Sequence, residues 1–166
     1  MNQAVIQLQP VSGDQQLATA EPAAPEIIKN SAFWPDISIT NYRETQRQDG
    51  QTPAVRLREA LLQGMTEANR LLKDWRLTQQ AAGCMALADV EAEIIDGESE
   101  LSVHYRRAVY SAARAIMTEQ FRGTDTTTDG DRRARALEAT TDDLWRQFQW
   151  SVNDVQGLPH ATVDLI

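Results

Sequence analysis

The sequence predicts an all-α protein: a small helical bundle of three to four amphipathic helices, with an extended N-terminal arm and an extended C-terminal tail. Three observations carry this. Apolar residues recur at three- and four-residue spacing over long stretches. Glycines stand where those stretches stop, at Gly83, Gly123 and Gly157. Prolines and small polar residues gather outside them, near both ends of the chain. With 166 residues, 42% of them hydrophobic and 24% charged, the chain has room for one domain with a real core.

Residues 1–32 read as a flexible arm, either a plain leader or a segment that orders on a partner. They carry Gln, Ala, Pro, Ser and Thr without a sustained period, and Pro22 and Pro25 flank Ala23-Ala24. Ala4 to Leu8 has the makings of a short strand with no evident pairing edge. The ordered domain is expected at 33–157, opening on Phe33-Trp34-Pro35-Asp36, two large aromatics suited to anchoring the end of a helical unit. Ser38 suits the cap of a short helix through Tyr42 and Arg43, which the polar run Gln46 to Gln51 breaks.

Thr52 as N-cap and Pro53 at the first helical position then start a helix of about 28 residues that ends before Gly83. Its apolar stripe is Leu57, Leu61, Met65, Ala68, Leu72 and Trp75; Arg58, Glu59, Glu67, Arg70, Lys73 and Asp74 take the other faces. Cys84 to Gly97 reads as a structured, acidic connection. A third helix is expected from Glu98 to Arg122 on the stripe Leu101, Tyr105, Ala108, Ala112 and Ile116, bordered by Val109 and Ala115. Its alanines allow neighbouring helices to approach closely. Thr124 to Asp131 reads as a loop. A fourth helix spans Arg132 to Gln156 on Leu137, Leu144, Phe148, Val152 and Val155, with capping-box character at Thr140 to Asp143 that permits a break there. Residues 158–166 form the tail: Gly157 and Pro159 bar the helix from resuming, and Thr162-Val163-Asp164-Leu165-Ile166 suits an extended segment that docks on a partner.

The sequence offers little to a catalytic reading. It lacks a phosphate-binding glycine loop, a His-Glu-x-x-His pair and a nucleophile elbow. His104 and His160 have no second ligand at matching spacing, so neither a metal nor a cofactor is expected. Cys84, following a helix C-terminus, reads as a buried or idle thiol, and a lone cysteine forms no internal disulfide. Asp142 and Asp143 suit the dipole of a first helical turn. Arg132, Arg133 and Arg135 form the sole basic cluster, read as a solvated face paired with Asp129 and Asp131, or else as a DNA contact. A net charge of −8 disfavours general nucleic-acid binding, which rests on neutralising phosphates, and favours protein partners. No apolar run approaches the ~18 residues of a membrane span, and the N-terminus lacks a secretory signal's basic start and apolar block.

Four tryptophans are many for this length. Trp75 and Trp145 suit the core. Trp150 lies two residues after Phe148, on another side of the same helix, and with Phe33 and Trp34 it is a candidate for a subunit interface, core packing being the competing reading.

Particular strings then carry a resemblance. They are Phe33-Trp34-Pro35-Asp36 with Tyr42-Arg43; Arg56-Leu57-Arg58-Glu59-Ala60-Leu61-Leu62 leading to Asn69-Arg70 and Trp75; Asp96-Gly97-Glu98-Ser99; Tyr105-Arg106-Arg107-Ala108-Val109-Tyr110; Asp125-Thr126-Thr127; Asp142-Asp143-Leu144; Trp150; and the terminal Thr162 to Ile166. In this order and spacing, from about residue 33 to the end, the chain resembles the phage head completion protein family, the GpL type of temperate contractile-tailed phages. Asp164 stands where that pattern has Glu. The resemblance implies a virion structural protein, assembled in the bacterial cytoplasm, without catalytic residues. It implies a helical adaptor that acts after DNA packaging, forms a ring (commonly twelvefold) on the portal protein, helps retain DNA, and presents a surface to the tail-completion protein. Packaged DNA would pass through it without specific binding. The alternative is a helical DNA-packaging or DNA-binding component, which would need a localised basic face.

Overall fold

A computed structural model describes residues 26–46, 52–120 and 128–160, the last segment by backbone alone as far as 139. The element order is β1 (Ile27–Ile28), β2 (Ile37–Ser38), α1 (Ile39–Gln46), α2 (Ala54–Leu71), α3 (Lys73–Ala81), a 3-10 turn at Leu87–Asp89, β3 (Ile94–Ile95), β4 (Glu98–Ser99), α4 (Glu100–Gln120) and α5 (Thr128–Gln156). The protein is mainly helical. The expectation of a purely helical chain is corrected by two small antiparallel sheets, β1 with β2 and β3 with β4.

Helix α4 is the central element, packed against α2 on one side and α5 on another. The reason is its composition: Ala108, Ala112, Ala113 and Ala115 are fully buried, so the backbones of its neighbours can come close. A close approach is at Gly64 of α2. A β-carbon there would stand 2.7 Å from the Val109 carbonyl oxygen and 3.3 Å from the Ala113 nitrogen, so only hydrogen fits. The expected stripes supply the core. Leu57, Leu61, Met65, Ala68 and Leu72 are buried, as are Leu101, Tyr105, Leu144, Phe148, Val152 and Val155.

Element boundaries differ from expectation in instructive ways. Pro53, rather than Thr52, takes the N-cap of α2, and its carbonyl accepts the first helical bond from Leu57 at 3.2 Å. The expected single helix up to Gly83 is two, α2 and α3, bent at Leu72 where ψ relaxes to 6°. The hydrogen-bond ladder survives the bend: Leu72 donates to the Ala68 carbonyl at 3.0 Å and Arg76 to Leu72 at 2.9 Å. Helix α4 starts at Glu100, two residues late, because Glu98 and Ser99 are taken by a strand. Helix α5 starts at Thr128 and runs unbroken through Thr140 to Asp143.

Other signals hold. The Ser38 hydroxyl accepts the Asn41 amide at 3.1 Å and so caps α1. Gly83 and Gly157 both take positive φ (102° and 67°) and end α3 and α5 with the paired bonds of a Schellman motif: Cys84 to Gln79 with Gly83 to Gln80, and Leu158 to Asn153 with Gly157 to Asp154.

Residues 26–32, grouped with the arm by composition, join the packed unit. Ile28 is buried, and β1 pairs Ile27 with Ser38 and Ile28 with Ile37. The rest of the arm with Ala4 to Leu8, the Gly123 stop, Asp125 to Thr127, and the tail Thr162 to Ile166 lie outside the described residues.

Candidate interaction surface

The large aromatics divide into those the chain uses internally and those it leaves at the surface. Phe33 and Trp34 belong to the first group, which corrects their assignment to a subunit interface. Both are buried, at 2% and 3% exposure. The Trp34 ring lies parallel to Tyr105 at 4.7 Å and to Trp75 at 6.2 Å, with Phe33 edge-on at 4.8 Å. The physical reason is the tie that turns this segment inward. Phe33 accepts the Leu87 amide through its carbonyl, and Asp36 closes the turn by accepting from Lys29 Nζ at 2.6 Å and from the Asn30 amide at 2.9 Å. These hydrogen bonds, first that from Lys29, hold the Asp36 carboxyl below its usual range. Behind the rings, Asn30, Asn69 and Tyr105 form a closed polar triangle. Asn30 donates to the Tyr105 hydroxyl at 2.8 Å, that hydroxyl donates to Asn69 at 2.6 Å, and Asn69 donates back to Asn30 at 3.0 Å.

Trp150 belongs to the second group. It is half-buried on α5, stacked on His160 at 5.1 Å between centroids, with the Arg146 guanidinium 5.6 Å from its ring centre. Asp154 takes both of the chain's histidines: His160 Nε2 at 2.7 Å and His104 Nδ1 at 3.3 Å. Asn153 adds a bond from its amide to the Pro159 carbonyl at 3.2 Å. Together these contacts hold residues 158–160 against the end of α5, so the chain leaves the folded unit beside the start of α4. No local pattern signalled this clasp, because His104 stands about fifty residues before Asp154 and meets it only across packed helices. Among the described residues, no group of three or more His, Cys, Asp and Glu side chains stands where it would hold a metal.

Of the other singled-out residues, Cys84 is half-buried and points its thiol at the Asp89 carbonyl, 3.7 Å away. Asp143 pairs with Arg146. Arg132, Arg133 and Arg135 lie on α5, and their side chains are outside the described residues.

Two surface features were not anticipated. One is the β3–β4 hairpin, whose turn residues Asp96 and Gly97 both have positive φ (52° and 78°), as a type I′ turn requires. The Asp-Gly pair after Ile94-Ile95 is the signal that could have found it. Its base is fixed to α4 by a two-pronged bridge, Glu98 accepting from Arg106 at 2.6 and 2.7 Å, which also holds the Glu98 carboxyl below its usual range. Its apolar residues stand in water: Ile94 is 67% exposed and Ile95 56%. The other is an open groove of about 350 Å³ where α2, α4 and α5 converge, lined by Leu62, Gln63, Thr66, Glu67, Ile116 and Trp145. Trp145 is fixed in the wall by its indole N–H, which donates to Glu119 at 2.8 Å.

This arrangement has the means to bind protein surfaces. Among the described helices, none is long and apolar enough to cross a membrane.

Comparison with known proteins agrees with this character. Residues 28–166 match the family model described as phage head completion protein (GPL). The chain is 42% identical to the head completion/stabilization protein of Escherichia phage P2 over 158 residues, 95% of this chain and 94% of that one. It is 21% identical over 95 residues to the "Probable head completion/stabilization protein" of Haemophilus phage HP1 (strain HP1c1), covering 57% of this chain and 63% of the relative. No solved structure matches.

Proposed function

The chain belongs to the phage head completion protein family, and from that premise we propose that it acts as a connector adaptor on the portal of the filled head. As a head completion protein it is a structural component of the virion. The finer reading is that copies assemble into a ring on the portal after packaging. The ring stabilises the packed head and offers a surface to the tail-completion protein, after assembly in the host cytoplasm. The observation that carries this reading is the near full-length identity to a head completion/stabilization protein.

Physical features support it. A net charge of −8 suits a ring whose inner wall lets DNA pass without trapping its phosphates. The clasp around Asp154 launches the final residues from one defined place, so that Thr162 to Ile166 reach a partner from a fixed origin. In an extended strand Val163 and Leu165 face one way and Thr162, Asp164 and Ile166 the other, which suits strand addition to an exposed edge.

Deleting Thr162 to Ile166 tests the role of the tail. The truncated monomer keeps its helicity and melting temperature and loses attachment to portals. Unfolding of the truncated monomer, or its normal assembly on portals, would remove the tail from the mechanism. The ring itself is tested by measuring the mass of the purified protein with and without portal. A single copy per portal would overturn it.

A further inference from the structure

We propose that the free protein carries a docking site for its own C-terminal tail, a polar cleft between α1, α4 and α5 in which Arg107 and Arg114 take the Asp164 carboxylate. The cleft holds about 330 Å³. Arg107, Ser111 and Arg114 of α4 line it opposite Thr140, Asp143 and Gln147 of α5, and Gln46 closes it from the end of α1.

Charge makes this a site for a carboxylate. Among the described residues Arg107 has no hydrogen-bond or ion-pair partner, and Arg114 has the Gln46 side-chain oxygen at 3.3 Å. The carboxylate in the wall, Asp143, is already neutralised by Arg146. Arg107 and Arg114 are rooted roughly 10 Å apart along one side of α4. Their guanidinium groups can therefore close from two ends on a single carboxylate, as charge-assisted hydrogen bonds favour. Ser111, one turn from each, adds a hydroxyl donor.

The course of the chain selects the tail as the occupant. At Gly157 the chain reverses, and its contacts step back along α5. The Pro159 carbonyl accepts from Asn153, and the His160 ring lies on Trp150 and bonds to Asp154. Asp154, Trp150, Gln147, Asp143 and Thr140 recur at three- and four-residue spacing, which places them on one face of the helix. Residues 158–160 cover one end of that face, and the cleft is its continuation. The contact of His104 with Asp154 fixes α4 alongside, so that Arg107 is met first and Arg114 after it.

Length agrees with this course. Beyond Trp150, Asp143 lies ~10 Å and Thr140 ~15 Å farther along the helix. An extended chain covers ~13 Å in the four residues from His160 to Asp164, which brings that carboxylate into the cleft. Asp164 is the charged side chain of residues 161–166. In a strand Thr162, Asp164 and Ile166 share one side. Asp164 then faces the arginines while Ile166 turns toward Leu144, the apolar part of the wall. An ion pair open to water adds little to global stability, so removing the tail still leaves the melting temperature unchanged. What the contact alters is availability, because a partner that competes for a tail already bound sees a lower apparent affinity.

The test uses the full-length protein, isotope-labelled and free in solution. Amide relaxation is expected to show Asp164 to Ile166 as ordered at every concentration. The same amides are expected to be freed in Arg107→Gln with Arg114→Gln, and again in Asp164→Asn, with the melting temperature unchanged. Tail amides as mobile in the wild type as in these variants overturn the proposal. Order that vanishes on dilution overturns it too, because the tail is then held by a second copy. Attachment to portals gives a second readout, which rests on the role of the tail proposed above. The double arginine variant is expected to attach several-fold more tightly than the wild type. Weaker attachment overturns the proposal by assigning the arginines to a partner. If the tail-deleted protein attaches normally, the role of the tail at the portal fails by itself, and the relaxation result decides the cleft.

Discussion

Gly64 shows how one missing β-carbon sets the distance between two helices. Its α-hydrogen faces the Val109 carbonyl, and a methyl group there would force α2 away from α4 along the buried alanines. Gly64→Ala is therefore expected to lower stability by about 2 kcal/mol, even though alanine is the better helix former by about 1 kcal/mol. Chemical denaturation checks this. The buried tyrosines give a second contrast. The Tyr42 hydroxyl finds no hydrogen-bond partner in the described structure, whereas that of Tyr105 completes the triangle with Asn30 and Asn69. Tyr42→Phe should be neutral or stabilising, while Tyr105→Phe should cost about 1–3 kcal/mol by leaving buried amide groups unpaired. Burial pushes Tyr42 and Tyr110 up to about 12 from an ordinary 10.0, and Tyr105 higher still. The unfolded chain thus releases these protons first. Their contribution is complete below pH 10 and is lost as pH rises from 10 through about 12, which alkaline unfolding curves will register.

At the scale of elements, the decisive devices are terminators and clasps. Gly157 turns the chain out of α5 at φ 67°, and the next three residues return to Trp150 and Asp154. A β-carbon at position 157 is strained in that conformation by about 1–2 kcal/mol. Gly157→Ala should lower stability by about 1 kcal/mol and loosen the His160 ring from Trp150. Tryptophan fluorescence reports the second effect, with Trp150→Phe identifying the responsible ring. The bend at Leu72 is gentler, since the backbone bonds continue across it. It separates α2, which supplies core residues along its length, from α3, which buries no residue fully.

At the scale of the whole molecule, α2, α4 and α5 bury their apolar stripes in one shared core. A monomer so built is satisfied internally. We expect the free protein to be monomeric or weakly associated at micromolar concentration, becoming a ring only where the portal holds copies side by side. Native mass measurement checks this, and a stable dodecamer of isolated protein would contradict it. Membership of the head completion family and the acidic net charge both belong to this scale, because neither depends on any single contact.

Helical stripes, the glycine stops at Gly83 and Gly157 and the Ser38 cap were legible in the sequence because each is a local rule, acting over one or two turns of chain. The order of short strings was enough to place the chain in its family. The β3–β4 hairpin was legible too, in Asp96-Gly97, but the helical period that follows it masked the signal. Other features had no local signature. Phe33 and Trp34 look alike whether they face a partner or their own core; the ties from Asp36 and Leu87 turned them inward. Asp154 meets His104 and His160 only when α4 and α5 lie side by side. The groove at Leu62, Ile116 and Trp145 is a property of three helices at once. Periodicity determines which residues a helix must bury, whereas only tertiary packing decides which of them remain uncovered, because exposure depends on what the rest of the chain leaves in place.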